Sequence, residues 1–256
     1  MSTLAYILLF TFIGSIGSLI GGIILLSKEK LALKISHLLA SFAAGTLLGT
    51  AFFDLLPEAA EHAEKTGINI FFWTLCGMIT FFFIERFIHW FHHHEEFHDE
   101  SNDDRKATLP LIIIGDTVHN FLDGMVIAAT FLVSIPLGII TTLAVAAHEI
   151  PQEIGDFGLM LHKGLSKKKI ILVNVMSAAV SFIGALITFF LGDILKDSLS
   201  IFLALTAGFF IYIAASDLIP EIHHEKRKGV AVIESLLLVL GIIVIMVSVS
   251  LLEHGH

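Results

Sequence analysis

Eight runs of apolar residues, each about the ~20 residues a helix needs to cross a ~30 Å hydrocarbon core, dominate this 256-residue chain. They fall at roughly 4–26, 35–56, 68–90, 109–131, 136–161, 169–191, 198–219 and 230–252. Hydrocarbon cannot satisfy a bare backbone N–H or C=O, so a spanning segment is a helix or part of a closed barrel, and runs of this length are helices. A mean hydropathy of +0.87 with 15% charged residues agrees: the solvent for most of this chain is lipid. The first run begins at Leu4 with no basic residue before it, so it is expected to be a retained helix rather than a cleavable leader.

Basic residues give the orientation. The loops after helices 1, 3, 5 and 7 hold Lys28, Lys30, Lys34, Arg86, Arg105, Lys106, Lys163, Lys167, Lys168, Lys169, Lys226, Arg227 and Lys228, which leaves only Lys65 and Lys196 on the other side. Basic loops stay cytoplasmic, so both termini are expected to be extracytoplasmic. Helices 4 and 5 are the least apolar and are separated by a short turn near Ser134 and Pro136, which makes them a hairpin.

An internal echo is visible. Asp54-Leu-Leu-Pro57-Glu58 is expected to close helix 2, and Asp217-Leu-Ile-Pro220-Glu221 to close helix 7. Helix 2 runs outward and helix 7 inward, so the copies sit at opposite faces, as in an inverted duplication whose substrate site lies near the midplane. The polar stretch 91–108 is read as a cytoplasmic loop. Its His92, His93, His94 and His98, interleaved with carboxylates, suit loose metal capture within an otherwise solvated linker.

Cys76 is the only cysteine, so any metal site must use imidazole, carboxylate and amide. The net charge of -9 argues against nucleic acid as a partner and favours cations. The chemistry concentrates in the hairpin. Asp116, His119, Asn120 and Asp123 lie within about 100° of one face of helix 4, and His148, Glu149, Gln152, Glu153 and Asp156 within about 140° of helix 5. At ~1.5 Å per residue both histidines lie ~15–20 Å from a membrane face. A mid-bilayer carboxylate costs about 2.5–3.5 kcal/mol, so five of them cost on the order of 10 kcal/mol or more. No lysine or arginine shares the stripes, and a dication is the simplest source of the missing charge. An isolated Asn120 or Gln152 would read as interhelical glue; nine polar residues on two facing stripes do not.

The donor set is of borderline hardness, which places zinc first and leaves ferrous iron, manganese and cadmium open. Asn120 and Glu149 leave room for a second ion bridged by Asp123. Pro151 cannot bond the carbonyl of Ala147 and so frees an oxygen there. Gly124 and Gly155 are expected to let backbones approach closely. Asn174 and Ser177 on helix 6 read as interhelical glue.

The segments His119-Asn120-Phe-Leu-Asp123-Gly124 and His148-Glu149-Ile-Pro151-Gln152-Glu153-Ile-Gly155-Asp156 resemble the helix 4 and helix 5 motifs of the ZIP (Zrt/Irt-like) metal transporters, above all the subfamily with HNFxDG and HExPHExGD. The resemblance covers essentially the whole chain as one domain, residues 1–256. It implies an all-α integral membrane protein of eight transmembrane helices in a 3+2+3 arrangement with an inverted repeat. It further implies import of divalent metal into the cytoplasm across a plasma (inner) or organelle membrane, with helices 1, 4, 5 and 6 sliding against helices 2, 3, 7 and 8. By the same resemblance, His119, Asp123, His148 and Gln152 occupy a first metal position, and Asn120, Asp123 and Glu149 a second. Asp116, Glu153 and Asp156 adjoin them, while Asp54 and Glu58 mark the entrance and Asp217 and Glu221 the exit. Zn(2+) is then cargo, with up to two ions bound, and no cofactor is required. The other expected partners are the lipid bilayer and, in a homodimer, a second copy. Gln152 departs from the pattern, which has His there.

The rivals are an intramembrane metalloprotease, because His148-Glu149 begins like HExxH, and an exporter or a sensor without flux. Gln152 stands where the protease needs its second histidine, and an enzyme is therefore not expected.

Overall fold

The computed structural model describes residues 1–64, 67–93, 104–162, 164–192, 198–223 and 228–253. Among them every regular element is helical, and eight rods result. Helix α1 is Thr3–Ser27. Helix α2 is Glu29–Thr50, prolonged through a π-helical turn at Ala51–Leu55 into Leu56–Glu64. Then come α3 (Ile70–His93), α4 (Asp104–Val133), α5 (Ile135–His162) and α6 (Lys167–Phe190). Helix α7 is Leu199–Tyr212, continued by a π-helical turn at Ile213–Leu218 and by Ile219–His223, and α8 is Lys228–Glu253.

Six of these rods are long and apolar enough to cross a membrane, and the two that fall short are α4 and α5. Their polar stripes lower the mean, while their 30 and 28 residues exceed the ~20 required. The chain is a multi-pass membrane protein by this measure and by its apolar exterior. Phe71, Phe72, Phe82 and Phe83 on α3 and Val232, Leu236 and Leu240 on α8 are all exposed.

Local chemistry sets the helix starts. Ser2 accepts from the Ala5 N–H, Asn69 Oδ1 from the Phe72 N–H at 3.1 Å, and Ser134 Oγ from the Leu137 N–H at 3.2 Å. Ser134 alone separates α4 from α5; Pro136 is not part of the turn but sits in the first turn of α5, where its missing N–H costs nothing. Lys167 Nζ donates to the Leu26 carbonyl at 2.6 Å and so fastens the start of α6 to the end of α1.

Three sequence expectations are corrected. Pro57 and Pro220 do not close helices 2 and 7: each opens a further helical segment immediately after a π turn. A proline in the first turn of a segment needs no N–H, and the preceding wide turn has already broken the ladder. The loop read at 91–108 is also shorter, because α3 extends to His93 and α4 begins at Asp104. The third concerns Gly155, around which no atom of the described residues would lie within 4 Å of an added Cβ.

The repeated Asp-Leu-X-Pro-Glu segment has a packing counterpart. Gly45, nine residues before Asp54, lets α2 meet α8 at Leu238 and Gly241; Gly208, nine before Asp217, lets α7 meet α3 at Thr74 and Gly77. A Cβ at any of the four would strike backbone. Both aspartates then fall in π turns. Helix α4 packs most extensively on α6, where Gly124 and Gly184 admit the partner backbone at Ser181 and Phe121.

Candidate metal site

The hairpin brings His119, Asp123, His148 and Glu149 together, with one ligand atom from each inside 4.8 Å of all the others. His119 Nε2 lies 3.1 Å from His148 Nε2 and 3.5 Å from Glu149 Oε1, and Asp123 Oδ2 lies 3.4 Å from His148 Nε2. Two further edges, His119 to Asp123 and His148 to Glu149, are both 3.9 Å, and Asp123 to Glu149 is within 4.8 Å. Donors ~2.1 Å from a tetrahedral zinc ion are about 3.4 Å apart, so the four atoms already outline such a shell. His148 and Glu149 are each only 1% exposed, and His119 12%.

The spacing along the chain explains why these four meet. His119 and Asp123 are one turn apart on α4, and because the antiparallel hairpin turns at Ser134, His119 is as far before the turn as Glu149 is after it, with His148 beside Glu149 on α5. The hairpin therefore brings residues equidistant from its turn to the same depth. Pro151 lies inside α5 two residues before Glu153, in keeping with a locally freed carbonyl beside the site.

Hydrogen bonding sets the imidazoles. His148 Nδ1 is 3.1 Å from the Ala144 carbonyl, which can only accept, so a neutral His148 carries its hydrogen on Nδ1 and turns the Nε2 lone pair inward. Across the 3.1 Å contact, His119 Nε2 is then the donor. Phe81 of α3 meets His119 edge to face at 5.8 Å, and Phe210 of α7 meets His148 at 6.3 Å.

The other expected residues are placed as follows. Asn120, fully buried, donates from Nδ2 to the Asp116 carbonyl at 3.1 Å and to Asp116 Oδ1 at 2.8 Å. That fixes the amide so that Oδ1 points away from Asp116, without a hydrogen-bond partner among the described residues. Gln152 is half-buried one turn beyond His148. Glu153 and Asp116 are buried and Asp156 is half-buried, all toward the end of the hairpin where α4 begins and α5 finishes. Asp54 is buried in its π turn and Asp217 is exposed in its own. Glu58 Oε1 sits 3.3 Å from His62 Nε2.

The backbones of Glu221, His92 and His93 lie in helix, and their side chains are outside the described residues, as are His94 and His98 altogether. Ser177 Oγ donates to Thr117 Oγ1 at 3.2 Å, joining α6 to α4, and Asn174 donates to Ile170 O and Met160 Sδ.

Sequence reasoning missed Phe81, Phe210 and the Tyr212 hydroxyl, which donates to Glu85 Oε2 at 2.6 Å. Aromatics among 22 phenylalanines carry no signal that separates a ring seated on an imidazole from one facing lipid. His62 did carry one, its i+4 spacing from Glu58.

Comparison with known proteins gives the family. Zinc transporter ZIP6 of Homo sapiens is 35% identical over 164 residues, covering 61% of this chain and 22% of ZIP6. Zinc transporter ZIP10 of Mus musculus is 40% identical over 114 residues (44% of this chain, 14% of ZIP10), and mouse ZIP4 is 39% identical over 118 (46% and 18%). The chain thus corresponds to less than a quarter of the length of these curated relatives. Residues 2–111 and 105–249 match the family model described as ZIP Zinc transporter, which spans nearly the whole chain. The chain belongs to the ZIP zinc transporter family.

Proposed function

We propose that this chain carries divalent transition metal ions, zinc foremost, through the bilayer by way of the His119, Asp123, His148 and Glu149 site. The observation that carries the reading is the convergence of two imidazoles and two carboxylates, buried and within one coordination sphere, on the two most polar helices of an otherwise apolar bundle. No lysine or arginine pairs these carboxylates among the described residues, so a dication is the charge that offsets their burial.

Mixed imidazole and carboxylate donors favour zinc over magnesium or calcium. Glu149 supplies the fourth ligand, which makes the amide of Gln152 dispensable to the first coordination shell. Asn120 Oδ1, Asp123 and Glu149 can hold a second ion beside the first. Movement runs into the cytoplasm, with both termini outside, and the host is the plasma (inner) membrane. The metal is cargo and no resident cofactor takes part. Pairing of two copies leaves each site intact, because one chain supplies all four ligands.

The test is zinc-65 uptake into proteoliposomes for the wild type, His119→Ala and His148→Ala. Each substitution is expected to reduce uptake by about tenfold or more, as loss of a metal-orienting group does. Uptake unchanged by both would refute the site. Peptide cleavage by the wild type that Glu149→Gln abolishes would instead establish the protease.

A further inference from the structure

We propose that Asp116, Glu153 and Asp156 form a further, oxygen-only station for a divalent cation, about one helical turn from the two-histidine site and its adjoining second position. This deepens the transport reading and rests on it. Glu153 lies one turn beyond Glu149 on α5, and Asp116 one turn before Asn120 on α4. The two helices are antiparallel, so both steps lead the same way, toward the face carrying most of the basic loops, by ~6 Å. Asp156 follows three residues after Glu153 on the same side of α5.

Burial shows that the cluster wants a ligand. Glu153 is 1% exposed, and neither of its oxygens has a hydrogen-bond partner among the described residues. Its electrostatic neighbours are Asp116 and Asp156, both negative when ionised. Asp116 is also an electrostatic neighbour of Asp156. Among the described residues no lysine or arginine pairs with any of the three. A carboxylate held at such depth without donors or a counter-charge is strongly disfavoured, and a divalent ion shared by three of them supplies both.

The donor set states the class of ion. With oxygen alone the station is harder than the two-histidine site, suits manganese, magnesium or hydrated zinc, and holds zinc less tightly than imidazole does. An ion stepping from nitrogen to oxygen ligands is readied for release. Asp116 joins the two stations, since the same carboxylate that orients the Asn120 amide is an electrostatic neighbour of Glu153.

The experiment uses the full chain in lipid nanodiscs, titrated with Mn(2+) and followed by the electron paramagnetic resonance signal of free manganese. Wild type is expected to show two classes of site. The double variant His119→Ala/His148→Ala should lose the tighter class and keep a weaker one. Adding Glu153→Gln should weaken what remains by about tenfold to a hundredfold. Asp156→Asn in the same background should act likewise, which guards against a folding defect peculiar to position 153. In zinc-65 uptake, Glu153→Gln alone should lower kcat more than it raises KM.

The inference is overturned if the double-histidine variant binds no manganese at millimolar concentration, as it would if protons alone neutralised the cluster. It is equally overturned if Glu153→Gln and Asp156→Asn leave the residual affinity unchanged. Either result with wild-type uptake intact removes only this station; a wild type that neither binds nor transports metal removes the transport reading as well.

Discussion

Gly124→Ala tests the link between helix packing and the metal site, with Gly155→Ala as its control. An added Cβ at Gly124 would collide with the main-chain carbonyl of Ser181, so no side-chain rearrangement on α6 can absorb it. Helices α4 and α6 must part by on the order of 1 Å, an overpacking that costs about 1–3 kcal/mol. Asp123 is the preceding residue and travels with the backbone, whereas a coordination sphere tolerates only about 0.2 Å. If that energy is drawn from ion binding, at 1.4 kcal/mol per decade, KM for zinc rises by about 5- to 100-fold. At Gly155 nothing lies within 4 Å of the new Cβ, so Gly155→Ala should leave uptake unchanged and raise stability by a few tenths of a kcal/mol up to about 1. Zinc-65 uptake kinetics in proteoliposomes, with thermal midpoints in detergent, read both effects. Adding Ser181→Gly to Gly124→Ala should give no rescue, because the obstacle is backbone. A Gly124→Ala protein with wild-type KM and midpoint, or a Gly155→Ala protein equally impaired, would refute the reasoning.

Two further outcomes follow from the site and its surroundings. Coordination requires lone pairs on imidazole and ionised carboxylates, so zinc affinity should fall progressively from pH 7.5 to about 5, and an affinity constant across that range would contradict the ligand set. Tyr212→Phe removes the 2.6 Å bond to Glu85 while keeping the ring against Phe81, and should cost about 1.5–3 kcal/mol, read as a lower thermal midpoint; no shift would mean that the bond is not made in the membrane.

What the chain discloses by itself depends on whether a feature is periodic or contextual. The eight rods follow from apolar run length, and the ligand stripe from spacings of three and four, since lipid makes both the apolar face and the polar exception costly to alter. Hairpin helices α4 and α5 are legible because carboxylates on them are so out of place. The π turns at Ala51–Leu55 and Ile213–Leu218 are not: Pro57 and Pro220 look like stops until the wider preceding turn is seen to have broken the hydrogen-bond ladder already. Gly124 and Gly155 are indistinguishable by composition, and only the position of α6 separates them. Gln152 and Glu149 occupy the same stripe, and which side chain joins the two histidines depends on the approach of α4. Phe81 and Phe210 went unnoticed for a similar reason, as a ring has no spacing rule that tells imidazole from acyl chain.

The Nε2 to Nε2 contact between His119 and His148 carries a hydrogen that no coordinated ion could tolerate. Cargo arriving at the centre of the hairpin has to evict it, and His119 must hand it to solvent or move it to its other nitrogen. Loading the hairpin is thus tied to a change of tautomer or the loss of a proton at His119.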